Sequence, residues 1–166
     1  AIAYAHSRGV IHRDLKPENV GLDNFGQVMV LDWGLAKVVD DSDLSSQLSG
    51  DVELSGEALA ETLAGEVIGT PLFMSPEQAA GESVSQQADI YGLGAILFAI
   101  LTGYAPHEPK KSKTSAPLKI KEVLKDIQKS ESPRPRDLRS DIPIELEAIC
   151  MKAMALKKFA RHDTAS

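Results

Sequence analysis

Four polar residues between positions 14 and 32 are of types that suit phosphate chemistry. The segment HRDLKPEN carries Asp14, Lys16 and Asn19, and Asp32 follows 13 residues after Asn19. Carboxylate and amide oxygens are hard ligands that suit Mg²⁺, and a lysine supplies a positive charge for a phosphate. A carboxylate that does not bind the metal can accept a proton from a hydroxyl. The set therefore predicts phosphoryl transfer, which needs a metal, a phosphate clamp and a base.

Each of these residues also has an ordinary structural interpretation. Arg13 and Asp14 could form a surface ion pair, and Asp32 could end a strand with no chemical role. For any one residue taken alone, the structural interpretation is the better one. The chemical prediction depends on the whole set and on the motifs that follow it along the chain.

Four motifs in the same order resemble the C-terminal lobe of the protein kinases. They are HRDLKPEN (12–19), DWG (32–34), GTPLFMSPEQ (69–78) and DIYGLG (89–94). The segment GQVMVLDWGLAK (26–37) is most similar to the bacterial kinases of eukaryotic type. The resemblance implies an α+β, mostly helical fold with a small β-hairpin, over residues 1–166, with an activation segment at 32–77. No Gly-rich loop or strand Lys precedes the motifs. We therefore expect the N-terminal lobe to lie upstream in a longer polypeptide, and the segment alone to be inactive.

The resemblance also implies a reaction, in which ATP and Mg²⁺ serve to phosphorylate Ser or Thr hydroxyls of protein substrates. Asp14 would be the catalytic carboxylate and Lys16 would neutralise the transferred γ-phosphate of ATP. Thr70 would hydrogen-bond near both. Asn19 and Asp32 would hold the Mg²⁺ ions that bridge the ATP phosphates. Lys16 two residues after Asp14 resembles the Ser/Thr kinases rather than the tyrosine kinases.

Further residues would support the site without reacting. By the same resemblance, His12 would pack beneath Trp33, and Asp89 would hold the backbone of the catalytic loop. Glu77 and Arg161, which stands where the family has a late helical arginine, would form a buried ion pair. Helix capping is the alternative role for Glu77 and Asp89.

Arg13 is expected to have a regulatory role, because its positive charge beside Asp14 could be satisfied by a phosphate. The first candidate for phosphorylation is Thr62 and the second is Ser55, both in the long activation segment. The alternative is that this Ser-rich stretch is only a solvated linker.

Gly21 departs from the family pattern, which has a Leu or Met at this position as the floor of the adenine pocket. Losing such an apolar contact should cost about 1–3 kcal/mol of ATP binding free energy. This departure supports the alternative function, a catalytically inactive kinase-like scaffold or binding module. Trp33 in place of Phe and Ser75 in place of Ala are milder departures.

The bulk composition limits the class of protein. The chain has 166 residues, 43% of them hydrophobic, which fits one compact domain. Its net charge of −6 argues against a nucleic-acid partner.

The single cysteine, Cys150, excludes an internal disulfide and is expected to be a buried, inert thiol. The longest apolar run, Ile90 to Leu101, is too short to span a bilayer, and no signal peptide is visible. We expect a cytoplasmic location.

Periodicity and turn residues predict the main elements. Two short strands are expected on either side of the turn DNFG, and three longer helices follow a long, exposed, acidic loop at 39–66. The predicted strands are Val20–Leu22 and Val28–Leu31, and the predicted helices are Ser85–Thr102, Leu118–Lys129 and Pro143–Leu156.

Overall fold

The computed structural model describes residues 1–38, 71–108, 120–129 and 132–166. Thr70, Thr62, Ser55 and the loop predicted at 39–66 lie outside the described residues.

About half of the described residues are helical, and the rest include two small sheets, which agrees with the predicted α+β class. The helices are α1 (Ile2–Ser7), α2 (Pro76–Ala79), α3 (Gln86–Thr102), α4 (Ile120–Lys129), α5 (Pro135–Leu138) and α6 (Ile144–Ala153). The strands are β1 (Val10–Ile11), β2 (Val20–Leu22), β3 (Val28–Val30) and β4 (Lys37–Val38), and 3-10 turns cover Pro17–Asn19 and Lys158–Ala160.

Strands β2 and β3 form the predicted hairpin. They pair antiparallel, with Val20 opposite Val30 and Leu22 opposite Val28. The carboxylate of Asp23 accepts hydrogen bonds from the backbone amides of two turn residues, each at 2.8 Å, and Gly26 has φ 82. An Asp that bonds its own turn and a Gly with positive φ are typical of such a connection. The prediction of the hairpin is confirmed.

A second two-stranded sheet was not predicted. β1 pairs antiparallel with β4, with Val10 opposite Val38 and Ile11 opposite Lys37. Strands of two residues are too short to show a period of two, so the sequence carries no signal for them. This pairing joins the residues just before the HRDLKPEN segment to the residues just after the DWG segment.

Helix α3 lies at the centre of the larger of two buried apolar clusters among the described residues, as its apolar composition on nearly every side predicts. Tyr91 and Phe98 are fully buried and pack with Cys150 and Met154, the latter beside the end of α6. Gly94 makes this approach possible, because a Cβ there would lie 2.7 Å from the Cβ of Ala153. Helix α3 is therefore the scaffold for α5, α6 and the second 3-10 turn, whereas α2 and α4 pack on each other in a second apolar cluster that includes Ala79 and Ile127.

Some helix bounds differ from the prediction. Helix α6 ends at Ala153 rather than Leu156. The carbonyls of Ala155 and Leu156 lie beyond this end and accept hydrogen bonds from Arg161. The short helices α2 and α5 were not predicted. Within the described ranges, none of the helices is both long and apolar enough to cross a membrane.

Candidate active site

Asp14 and its two polar neighbours form one hydrogen-bonded group in the loop between β1 and the 3-10 turn. The Nζ of Lys16 lies 2.8 Å from Oδ2 of Asp14. The Nδ2 of Asn19 donates to the same Oδ2 at 3.0 Å and to the backbone carbonyl of Asp14 at 2.8 Å. Pro17, at the start of the 3-10 turn, reverses the chain so that Asn19 returns to Asp14. Among the described residues both donors bind Oδ2, so Oδ1 is the oxygen that can accept a proton.

Asp89 holds the backbone that precedes Asp14. Its side chain is buried in the first turn of α3, and it accepts from the amides of His12 and Arg13, each at 2.9 Å. His6 in α1 lies 2.8 Å from the same carboxylate. The alternative role of Asp89 as a helix cap is wrong, because Ser85 is the N-cap of α3.

The backbone at two functional candidates lies in the left-handed region. Arg13 has φ 72 and Asp32 has φ 56, and they are the two non-glycine residues with positive φ in the described part of the chain. Such conformations cost about 1–3 kcal/mol each and cluster at functional sites. The hydrogen bond from Arg13 to Asp89 is one of the contacts that maintain this conformation.

His12 connects the Asp14 loop to the strand that precedes Asp32. Its Nδ1 accepts from the amide of Asp14 at 3.3 Å, and its Nε2 donates to the carbonyl of Leu31 at 3.0 Å. The neutral ring satisfies both bonds. The ring meets Trp33 edge-on, with the centroids 4.6 Å apart. This fully buried ring is placed to hold the two loops together rather than to exchange protons with a substrate.

Asp32 is exposed, and its Oδ1 accepts from the amide of Gly34 at 3.3 Å. In the parts of the chain that the structure describes, no three His, Cys, Asp or Glu side chains converge on a metal site. A single carboxylate with an amide oxygen nevertheless fits Mg²⁺, which is usually held by one or two carboxylates, substrate phosphates and waters. Asp32 and Asn19 are therefore a chemically suitable pair, although no described contact joins their side chains.

Glu77 and Arg161 form a buried, bidentate ion pair. Nη1 of Arg161 lies 2.7 Å from Oε1 of Glu77, and Nη2 lies 2.8 Å from Oε2. The exposed fractions of the two side chains are 4% for Glu77 and 0% for Arg161. The guanidinium also lies over the ring of Tyr91, 5.0 Å from its centroid. Helix capping of α2 is done by Ser75 and Gln78, so the alternative role of Glu77 as a cap is wrong.

Gly21 lies in β2 beside a partly exposed apolar surface. A Cβ at this position would meet the side chains of Leu31 at 3.5 Å and Met29 at 3.8 Å, which are ordinary contact distances. Leu31 and Met29 are each 46% exposed. A Cβ at position 21 would therefore fit against this surface at ordinary van der Waals distances.

Three groups with shifted pKa values lie in the interior, away from Asp14. Burial raises the pKa of Tyr91 to about 12 and that of Cys150 to about 12. Burial also lowers the pKa of His107, whose Nε2 lies 2.7 Å from the hydroxyl of Tyr91. Cys150 is fully buried, so the prediction of a buried, inert thiol agrees with its burial and its raised pKa.

Sequence reasoning missed two residues that contact the catalytic loop or its support. Gln78 donates to the carbonyl of Arg13 at 2.6 Å, and His6 contacts Asp89. For Gln78 a signal was present, because Ser75 and Gln78 have the spacing of a capping box and indicate a short helix. No comparable signal marked His6.

Comparisons with known proteins identify the family. The family described as "Protein kinase domain" matches residues 1–163. The serine/threonine-protein kinase PknD of Protochlamydia amoebophila is 47% identical over 106 residues, which cover 64% of this chain and 11% of that protein. The PknD of Chlamydia pneumoniae is 35% identical over 167 residues (98% of this chain, 16% of that protein), and that of Chlamydia caviae is 36% identical over 168 residues (99% and 17%).

The chain thus spans between about a tenth and a sixth of the length of these relatives. The prediction that the chain is a member of the protein kinase family is confirmed, and the relatives are named serine/threonine-protein kinases. The chain belongs to the protein kinase domain family.

Proposed function

We propose that this chain is the C-terminal lobe of a serine/threonine protein kinase, which transfers the γ-phosphate of ATP to Ser or Thr hydroxyls of protein substrates. The observation that carries the proposal is the hydrogen-bonded group formed by Asp14, Lys16 and Asn19. Asp32 follows Leu31, whose carbonyl bonds to His12 of the same loop. A fold retained only for binding would not need this set of side chains.

In this mechanism each residue has a separate task. Oδ1 of Asp14 accepts the proton of the substrate hydroxyl and orients the oxygen for attack. Lys16 lies 2.8 Å from Asp14 and offers its charge to the phosphoryl group in transfer. Asn19 fixes the carboxylate of Asp14 through Nδ2, which leaves its amide oxygen for a metal. When bound, Mg²⁺ neutralises charge on the ATP phosphates, and Asp32 and Asn19 are the residues that would hold it.

The complete site includes parts beyond the described residues. We propose that Thr70 hydrogen-bonds near Asp14 and Lys16, and that a phosphate on the 32–77 activation segment pairs with Arg13. Glu77 and Arg161 anchor the end of this segment to the core, and Asp89 fixes the loop before Asp14.

An upstream N-terminal lobe fits the exposed apolar surface around the hairpin. Leu22 is 72% exposed, Phe25 91% and Val28 64%. Clustered exposed apolar side chains of this size mark interaction surfaces. We infer that the upstream lobe packs beside this surface and closes the adenine side of the site, while protein substrates approach from the Asp14 side.

The scaffold alternative has one specific observation in its favour, which is Gly21. Nucleotide binding separates the two functions, because a scaffold that has lost its nucleotide site does not bind ATP in a Mg²⁺-dependent way. The test is isothermal titration of Mg²⁺–ATP into the full-length protein, its Asp32→Asn variant and the control variant Asp141→Asn. Asp141 pairs with Arg139 on the exposed surface, far along the chain from the site.

We expect the wild type and Asp141→Asn to bind Mg²⁺–ATP, and Asp32→Asn to lose the part of the affinity that depends on Mg²⁺. No binding by the wild type supports the scaffold. Equal binding by the wild type and Asp32→Asn contradicts the proposed metal site.

A further inference from the structure

The side chain of Gln78 bridges α2 and the catalytic loop. Its Nε2 donates to the carbonyl of Arg13 at 2.6 Å, across 65 residues of sequence. Its Oε1 accepts from the amide of Ser75 at 3.2 Å and from the Ser75 hydroxyl at 2.9 Å. Both ends of the amide are therefore used, and its orientation is fixed by the helix cap.

The carbonyl that Gln78 binds belongs to a constrained peptide. Arg13 has φ 72, in the left-handed region that costs free energy for a residue with a side chain. Its amide donates to Asp89 at 2.9 Å, and its carbonyl accepts from Gln78. The two backbone polar groups of Arg13 are thus held from opposite sides, by α3 and by α2.

The same peptide unit contains the amide of Asp14. Because a peptide is planar, fixing the carbonyl of Arg13 also fixes the direction of the Asp14 amide and the position of the Asp14 Cα, from which the side chain extends. That amide donates to His12 at 3.3 Å, which is a long bond and holds the plane weakly on its own. The bond from Gln78 is short by comparison, so it is the stronger restraint on this plane.

We propose that Gln78 is a positioning residue, which orients the carboxylate of Asp14 through the Arg13–Asp14 peptide. It also couples the end of the activation segment, at Ser75 and α2, to the base that acts on the substrate. This inference rests on the proposed function. A role in capping α2 alone would make Gln78 important for stability but not for the rate of transfer.

The substitution Gln78→Glu separates these two roles. A carboxylate keeps an acceptor for the Ser75 amide and hydroxyl, so the capping box survives. Its second oxygen, however, faces the carbonyl of Arg13 at the position where the amide donated, and the two oxygens repel each other. When the carboxyl is protonated it can donate again, so a positioning role predicts partial rescue at low pH.

Helix α2 offers a matched control. The Nε2 of Gln128, in α4, donates to the carbonyl of Ala79 at 2.6 Å. Gln128→Glu therefore removes the same type of bond, of the same length, from the same helix, without touching the catalytic loop. Gln78→Met is the second test variant, because it removes all three hydrogen bonds of the Gln78 side chain and adds no charge.

The experiment measures steady-state phosphorylation of a Ser/Thr peptide by the full-length protein and these variants, from about pH 8 to about pH 5.5. For Gln78→Glu at neutral pH we expect kcat to fall about 10- to 100-fold, the range that follows from displacing a catalytic group, with the KM values changed less than about threefold. The ratio of wild-type to variant kcat should shrink as the pH falls. Gln78→Met should lose kcat to a similar extent without this rescue, and Gln128→Glu should retain the wild-type kcat.

Several results would overturn the proposal. Gln78→Glu could keep kcat within about twofold of the wild type, or Gln128→Glu could lose as much as Gln78→Glu. If Gln78→Glu does not fold, as judged by thermal melting, Gln78→Met decides: an unchanged kcat overturns the proposal and a loss of the expected size supports it. Failure of the proposed function is a separate result, because the wild type itself would then transfer no phosphate.

Discussion

Replacing Arg161 by Met should strongly destabilise the domain, because the variant leaves a buried carboxylate without its partner. The side chain of Glu77 is 4% exposed, and both of its oxygens bond to Arg161. Arg161 also donates to the carbonyls of Ala155, Gln87 and Leu156, which would lose these bonds. Removing one partner of a buried pair costs about 3–5 kcal/mol, and we expect this loss in the free energy of unfolding.

Urea unfolding of the kinase domain, followed by far-UV circular dichroism, measures this loss. The double variant Glu77→Gln with Arg161→Met should be more stable than Arg161→Met alone, because no unpaired charge remains. Arg139→Met is the control, since the Arg139–Asp141 pair is exposed and its loss should leave stability almost unchanged. A loss below about 1 kcal/mol for Arg161→Met, or no recovery in the double variant, would refute the reasoning.

Three further predictions concern single positions. Gly21→Leu should tighten Mg²⁺–ATP binding in the full-length protein by at most about 1–3 kcal/mol, because it restores an apolar contact; isothermal titration measures this, and weaker binding with unchanged melting would contradict it. Burial lowers the pKa of His107 from its ordinary 6.5, so the unfolded chain takes up a proton at a higher pH than the folded chain, and stability is lost as the pH falls below about 6.5. The melting temperature of the wild type should therefore drop more between about pH 7.5 and pH 5.5 than that of His107→Gln, and parallel curves would contradict this. Cys150, whose thiol pKa burial raises to about 12, should be alkylated by iodoacetamide only in denaturant, as measured by mass spectrometry of its peptide; rapid labelling of the native protein would contradict its burial.

The sequence was sufficient to predict elements with a strong local signal. The β2–β3 hairpin follows from the DNFG turn, and α3 follows from a long apolar run between Ser85 and Gly103. The C-terminal end of α6 could not be predicted in this way. Just beyond this end the carbonyls of Ala155 and Leu156 accept hydrogen bonds from Arg161, and such a contact between a side chain and the backbone leaves no periodic pattern.

In the candidate site, too, some residues could be predicted from the sequence and some contacts could not. The residues with side chains suited to the chemistry, such as Asp14 and Asp32, could be found from their types and spacing. The contacts of Asp89 with the loop were expected only through the order of the motifs. The bond from Gln78 to Arg13 could not be predicted, because it ends on a backbone carbonyl, and every residue offers one.

The most direct test of the central claim is the loss of phosphoryl transfer when Asp14 is replaced by Ala in the full-length protein. The measurement is the transfer of labelled γ-phosphate from ATP to a Ser/Thr peptide, with ATP affinity and melting temperature recorded beside it. We predict that transfer falls by about two to four orders of magnitude while the fold and ATP binding remain, because the variant lacks only the group that accepts and orients the proton. Transfer at the wild-type rate by Asp14→Ala would contradict the assignment of Asp14 as the base, and with it this account of the site.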